Sequence, residues 1–301
     1  MGIIDDLKMQ YRVGGIVQRL IFWNVGLFII PMIIFSLLKL GNVYLPAIDW
    51  NIGGSNNWLS LSSNPADLLW KPWSLITYAF LHAGFLHILF NMLVLNFAGR
   101  LFLTFFTQKQ LFGLYILSAI FSGFVFIAGY QLLPMLQGMP AQIVGASAAI
   151  MAILIATAVY APHYSVRLML IGTVKLWHIA AVFLILDMIN ASASNSGGHI
   201  AHLAGALFGF VYIKLMQNGT DLTKGVSAVI DFGANLFRPK KSVPFKKVHR
   251  NPVRSATQAA PKKAKDLTQM QIDEILDKIS KSGYDSLTKA EKEFLFKVGN
   301  K

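Results

Sequence analysis

Six stretches of the 301-residue chain are apolar over nearly their whole length, at about 20–38, 77–98, 111–133, 144–160, 170–187 and 199–216. Each approaches the roughly 17–25 residues a helix needs to cross the hydrocarbon of a bilayer. The fifth is the least uniform, because Lys175, His178 and Asp187 interrupt it, as expected of a helix that is mobile or partly exposed at the membrane edge. Between the first two, residues 39–75 carry Trp50, Trp58, Trp70 and Trp73 among Gly, Asn and Ser. Tryptophan favours the headgroup zone, so this loop reads as lying in or on the outer leaflet, with a plain extracytoplasmic loop as the alternative. After Gln217 the pattern changes: FRPKKSVPFKKVHRNPVRSATQAAPKKAKD has few apolar residues with which to fold and reads as a disordered basic linker. Helical periodicity returns near the end, where Ile272, Ile275, Leu276 and Ile279 share a face. Capping boxes are expected at Thr268 with Gln271 and at Ser286/Thr288 with Glu291, Gly283 can end the first helix, and Leu287, Phe294 and Leu295 can pack back on it. The expected fold class is all-α: a cytoplasmic N-terminal segment 1–19, a six-helix polytopic membrane domain 20–216, a linker 217–265 and a small helical hairpin 266–301.

Composition supports this class. Hydrophobic residues make up 54% of the chain, charged residues 14%, and the mean hydropathy is +0.52, values far from those of a soluble domain. Residues 1–19 lack the features of a signal peptide, so the first span is expected to remain in the mature protein. Lys8, Arg12 and Arg19 precede the first span, Arg100 and Lys109 lie between the second and third, and Arg167 lies between the fourth and fifth. The opposite loops hold only Lys39 and Lys71, so both termini are expected in the cytoplasm. From Gln217 onward there are 17 Lys+Arg against 9 Asp+Glu, which accounts for most of the net charge of +13. That concentration fits a tail beside anionic lipid rather than a nucleic-acid partner. The absence of cysteine excludes disulfides, zinc thiolate sites and thiol nucleophiles.

Polar residues within apolar spans are costly, so the few present are the informative ones. HAGFLHILFN places His82, His87 and Asn91 at the second span, with His87 and Asn91 four apart on one helix face. VGASAAIMA places Ser147 in a run of small residues where a loop enters the fourth span, and GGHIAHLAGALFG places His199 and His202 on the sixth. Ala201, Gly205 and Gly209 recur every fourth residue, matched by Ala148, Ala152 and Ala156. Two such smooth stripes allow close backbone approach, and their contact would bring His202 near Ser147. A serine hydroxyl becomes a useful nucleophile when a neutral imidazole takes its proton. The Asn91 amide, the His87 ring N–H and the Ser147 backbone N–H are candidate donors to a developing oxyanion. Asp187, the one acid near the last three spans, sits at a helix end, so a Ser–His dyad is expected rather than a triad. His82 and His199 read as structural. Residues 191–198, ASASNSGG, read as a movable cap through which water reaches the site.

Together these motifs resemble those of the rhomboid family of intramembrane serine proteases, over about residues 20–216. GASA at 145–148 is similar to the family's G-x-S-G segment, AHLAGALFG at 201–209 to A-H-x-x-G-x-x-x-G, and HILFN at 87–91 to H-x-x-x-N. The resemblance implies Ser147 as nucleophile, His202 as general base, His87 and Asn91 as oxyanion support, and Gly145, Ala148, Ala201, Gly205 and Gly209 as close packing near the site. Ala148 stands where many relatives have glycine. The implied activity is endoproteolysis of membrane-anchored proteins in or near a transmembrane segment that enters past the fifth span, in a bacterial inner membrane, with no cofactor and no metal. A catalytically silent relative that binds transmembrane clients is the alternative, and the presence of both Ser147 and His202 argues against it. A metal-dependent enzyme or transporter built on His82, His87, His199 and His202 is disfavoured by the lack of an H-E-x-x-H motif and of an intramembrane Glu.

Overall fold

The structure is a computed structural model that describes residues 2–43, 57–169, 171–192, 195–236 and 264–299. Trp50 of the first loop, Ala193 and Ser194 of the expected cap, and residues 237–263 of the expected linker lie outside the described residues. The chain divides into two units, Met1–Pro239 and Lys240–Lys301.

In the first unit, α1 (Ile3–Val13) leads through Gly14 and Gly15 into α2 (Ile16–Leu40). Only Val17, Leu20 and Asn24 of α2 are buried, while Ile30, Ile33 and Leu37 are exposed. Exposed aliphatic side chains along such a helix suit contact with lipid tails. A short strand β1 (Leu61–Ser62) and the one-turn helix α3 (Ser74–Thr77) precede α4 (Phe85–Phe102). The second span therefore starts at Phe85 rather than near residue 77. Residues 78–80 form a separate 3-10 turn, and Gly84 caps α4 in extended conformation. Tyr78 Oη donates to Ala119 O at 2.8 Å and Tyr115 Oη donates to Ala79 O at 2.7 Å, which pins this broken segment to the next helix.

That helix, α5 (Gln108–Leu132), opens with a capping box between Thr107 and Gln110. Strand β2 (Gln142–Ile143) pairs antiparallel with β1, in register Leu61 with Ile143, and anchors the loop that enters α6 (Ser147–Tyr160). Ser60 Oγ donates to Gln142 Oε1 and Ala141 N to Ser63 Oγ at 3.0 Å, so the described end of the first loop is tied to the membrane domain. Every residue from Ala148 to Ala158 is buried, and α6 touches α4, α5 and α8. Its 14 residues rise roughly 21 Å, short of the roughly 30 Å hydrocarbon thickness, so Ser147 starts a helix that need not reach the membrane surface.

The fifth span also starts later than expected. Residues 165–168 (β3) and 172–175 (β4) pair as an antiparallel hairpin, and Gly172, the first residue of β4, has φ +88°. Only then does α7 (Leu176–Asn190) begin, with Leu176, Ala180 and Asp187 as its buried residues. The four residues of β3 alternate exposed and half-buried, and β4 falls inside the apolar window 170–187, whose average concealed it. Among the described residues, two such small pairings are added to a mainly helical fold. α8 (Ser196–Gln217) packs against α5, α6 and α7. Of the six apolar helices found among the described residues, α2, α4, α5 and α8 are long enough to cross a membrane, while α6 and α7 are shorter.

Within the linker expected from residue 217, Thr223–Leu236 form a further helix, α9. Asp221 accepts from Thr223 N at 2.9 Å, from Thr223 Oγ1 at 2.6 Å and from Gln110 Nε2 at 3.0 Å. Gly113 leaves room for Thr223 against α5, and Lys109 pairs with Asp231 at 2.9 Å.

The second unit holds the expected hairpin, α10 (Ala264–Ser282) and α11 (Lys289–Gly299). α10 begins upstream of Thr268, which therefore does not cap it. Gly283, at φ +77°, ends it. Thr288 and Glu291 form the expected box: Glu291 accepts from Thr288 N at 2.7 Å and Thr288 Oγ1 accepts from Glu291 N at 3.4 Å. Among the described residues of this unit, Ile275 and Leu287 are the buried apolar side chains.

Candidate active site

Four helices and one loop build the site. Ser147 is the first residue of α6, where backbone N–H groups have no intrahelical carbonyl to bond. The preceding loop is fixed by Gly145 N donating to Tyr78 O at 2.9 Å. Gly145 has φ +136°, a conformation L side chains rarely adopt, and an added Cβ would sit 3.0 Å from His87 Nε2. Expected among the helix-packing residues, Gly145 instead lies in the turn before α6, clearing space between His87 and Ser147.

His202 lies in the second turn of α8. Its Nε2 is 2.6 Å from Ser147 Oγ. The approach depends on the small stripes, as expected: a Cβ added at Gly205 would overlap the Ala148 carbonyl, and one at Gly209 the Ala152 carbonyl. Ala148 and Ala201 are buried in the same contact region.

The expected isolation of Asp187 is corrected. α7 ends three residues beyond Asp187, and α8 begins at Ser196, so the end of one helix meets the start of the next. Asp187 Oδ1 lies 2.8 Å from His202 Nδ1 and 2.7 Å from His199 Nδ1. A Ser–His–Asp chain, not an isolated dyad, is the arrangement present. With Nδ1 donating to the carboxylate, the Nε2 lone pair of His202 faces Ser147. His199, expected to be purely structural, shares the same carboxylate.

On α4, Ala83 N donates to His87 Nδ1 at 3.3 Å, which leaves the hydrogen of a neutral His87 on Nε2, beside Gly145. Asn91 Nδ2 donates to His87 O at 2.9 Å, and the second hydrogen of that amide remains for another acceptor. His82 is fully buried, its ring edge-on to His87 at 5.1 Å, and neither of its nitrogens has a hydrogen-bond partner. A cavity of about 680 Å³ joins Ser147, His202, His87, Asn91 and Asp187 and extends to Phe183 and Leu186 of α7.

A profile of the rhomboid domain matches residues 69–218, which hold all of these side chains. The chain belongs to the rhomboid family. It is a polytopic helical membrane protein of the class whose members are intramembrane proteases or their inactive relatives. Residues 262–298 match a second profile, a family of unknown function (DUF6576), which coincides with the α10–α11 hairpin. No curated protein matches the chain.

Proposed function

We propose that this rhomboid protein is an intramembrane serine endopeptidase that cleaves membrane-anchored proteins in or near a transmembrane segment. The observation that carries the reading is the 2.6 Å approach of Ser147 Oγ to His202 Nε2 inside a cavity within the helix bundle. Ser147 attacks the scissile carbonyl as His202 accepts its proton, and the imidazolium then protonates the leaving amine. The Asp187 carboxylate holds the required tautomer and offsets the charge that forms on the ring. His87 Nε2–H, the remaining Asn91 hydrogen and the Ser147 backbone N–H supply the oxyanion with donors. Water entering the cavity then hydrolyses the acyl-enzyme, with His202 as base.

Phe183 and Leu186 extend the cavity to α7, and Val182, Ile185 and Ile189 of that helix are exposed. A substrate helix is expected to enter along this face and to unwind there, because helical hydrogen bonding shields the scissile carbonyl. The charge distribution supports cytoplasmic termini with the basic segment near anionic lipid, and the compact six-span plan is the ground for placing the protein in a bacterial inner membrane. The test is cleavage of a transmembrane reporter in proteoliposomes by wild type, Ser147→Ala and His202→Ala, with fluorophosphonate labelling of Ser147. Loss of product in both variants is expected. Equal product from all three removes the protease reading, and reporter binding without cleavage by wild type assigns a silent client-binding role.

A further inference from the structure

Around His202 the structure gathers more ligand atoms than the hydrolytic pair employs. Asp187 Oδ1 meets two ring nitrogens at 2.7 and 2.8 Å, and one ligand atom from each of Asp187, His199 and His202 lies within 4.8 Å of the others. The carboxylate side chain is 9% exposed and the two rings 21% and 22% exposed, so the group is sheltered but open to solvent ions. Proton transfer between His202 and Ser147 gives His199 no task. We infer that Asp187, His199 and His202 form a binding site for a divalent transition-metal ion of the zinc type, and that its occupation switches the protease off. The inference rests on the protease reading above for its effect, though not for binding.

Two imidazole nitrogens and one carboxylate oxygen form a ligand set suited to zinc, with a fourth position left for water. Bonds of roughly 2.0–2.1 Å in a tetrahedron place ligand atoms roughly 3.3 Å apart. The present hydrogen-bonded separations must therefore open by about half an ångström. His199 and His202 stand one turn apart on α8 and Asp187 on a separate helix, so side-chain rotation and a small shift of α7 supply that opening.

The inhibitory step follows from proton bookkeeping within one ring. In the metal-free site, neutral His202 carries its hydrogen on Nδ1, donated to Asp187, and presents the Nε2 lone pair to Ser147. A metal ion on Nδ1 occupies the lone pair there, and the single ring hydrogen moves through solvent to Nε2. The ring stays neutral and nothing is oxidised. Nε2–H now donates to Ser147 Oγ and cannot accept its proton, so the serine loses its base. His199 makes the same tautomeric change with no catalytic consequence.

Binding and inhibition are tested separately on the full chain. For binding, Ser147→Ala protein is titrated with zinc chloride by calorimetry and with cobalt(II) by visible absorption, with one ion per chain expected. Adding His199→Gln or Asp187→Asn should weaken binding at least tenfold, and the two variants guard against one that fails to fold. For inhibition, zinc should abolish reporter cleavage by wild type and a chelator should restore it. For His199→Gln, the zinc needed for half-inhibition, taken relative to that variant's own metal-free rate, should rise at least tenfold. Zinc bound equally after His199→Gln, or normal wild-type cleavage with the site saturated, overturns the inference. Wild type that binds zinc but never cleaves overturns the protease reading and leaves the metal site standing.

Discussion

Gly205→Ala sets two forces of opposite sign against each other. Alanine is favoured over glycine in a helix interior by about 1 kcal/mol, so propensity alone predicts a more stable protein. Against that, the added Cβ would overlap the carbonyl oxygen and carbon of Ala148, backbone atoms that cannot rotate away. α6 and α8 must part by about an ångström to reach ordinary contact, and overpacking of this kind costs about 1–3 kcal/mol. The displacement falls next to Ser147 on one helix and one turn from His202 on the other. It stretches the 2.6 Å contact between Ser147 Oγ and His202 Nε2 to roughly 3.6 Å, past the limit of a hydrogen bond. A misplacement of that size costs on the order of 10²-fold in rate. The assay is kcat/KM for a fluorogenic transmembrane reporter in proteoliposomes, normalised to folded protein, with thermal unfolding in parallel. Gly225→Ala on α9, where an added Cβ meets nothing within 4 Å, is the control and should leave activity unchanged. If Gly205→Ala retains wild-type kcat/KM and unfolds no earlier, contact between the small stripes does not hold the pair together and the reasoning fails.

Asn91→Ala removes one oxyanion donor and should lower kcat by about 10²–10³-fold with little change in KM, since that bond strengthens only as the oxyanion forms; steady-state kinetics that show a KM effect alone would assign Asn91 to substrate binding. Asp187→Asn should lower kcat at least about tenfold, because an amide no longer enforces the Nδ1–H tautomer of His202; an unchanged kcat would return the site to a simple dyad. In the hairpin, hydrogen bonding from the Lys278 ammonium, with further bonds from Thr288, holds the Glu291 carboxyl down to about 2. A carboxyl lowered in the folded state stabilises above its unfolded value and loses that contribution as pH falls toward about 2. Amide exchange protection across residues 264–299, corrected for intrinsic rates, should therefore fall over that acidic window in the full chain, and Glu291→Gln should remove the dependence.

What could be read from the sequence follows the range of the physics involved. The pairing of Ser147 with His202 was legible because residue size repeats every fourth position on both helices, and two smooth faces have few alternatives to each other. The oxyanion side was legible for the same local reason, since His87 and Asn91 share a face through their spacing alone. The β3–β4 hairpin and α9 were obscured by averaging: residues 172–175 merged with the fifth span, and basic residues beyond 237 hid the Asp221–Thr223 start of α9. Asp187 was misread for a different reason. Its contact with His202 depends on how the end of α7 lies against the start of α8, and a sequence separation of fifteen fixes no geometry. The energetic signal was nonetheless present. A carboxylate near the end of an apolar helix is expensive to bury unless it finds donors. Between Asp187 and the end of α8, the ring N–H groups of His199 and His202 and the Lys214 ammonium are the cationic or N–H side-chain donors besides the amides of Asn190, Asn195 and Gln217. Lys214 stands nearly at the far end of α8, whereas the two histidines occupy its first two turns, the part that α7 reaches as it ends. The cost of burying that carboxylate and the position of those rings together point to the Asp187–His202 contact, an argument from energy that spacing alone does not contain.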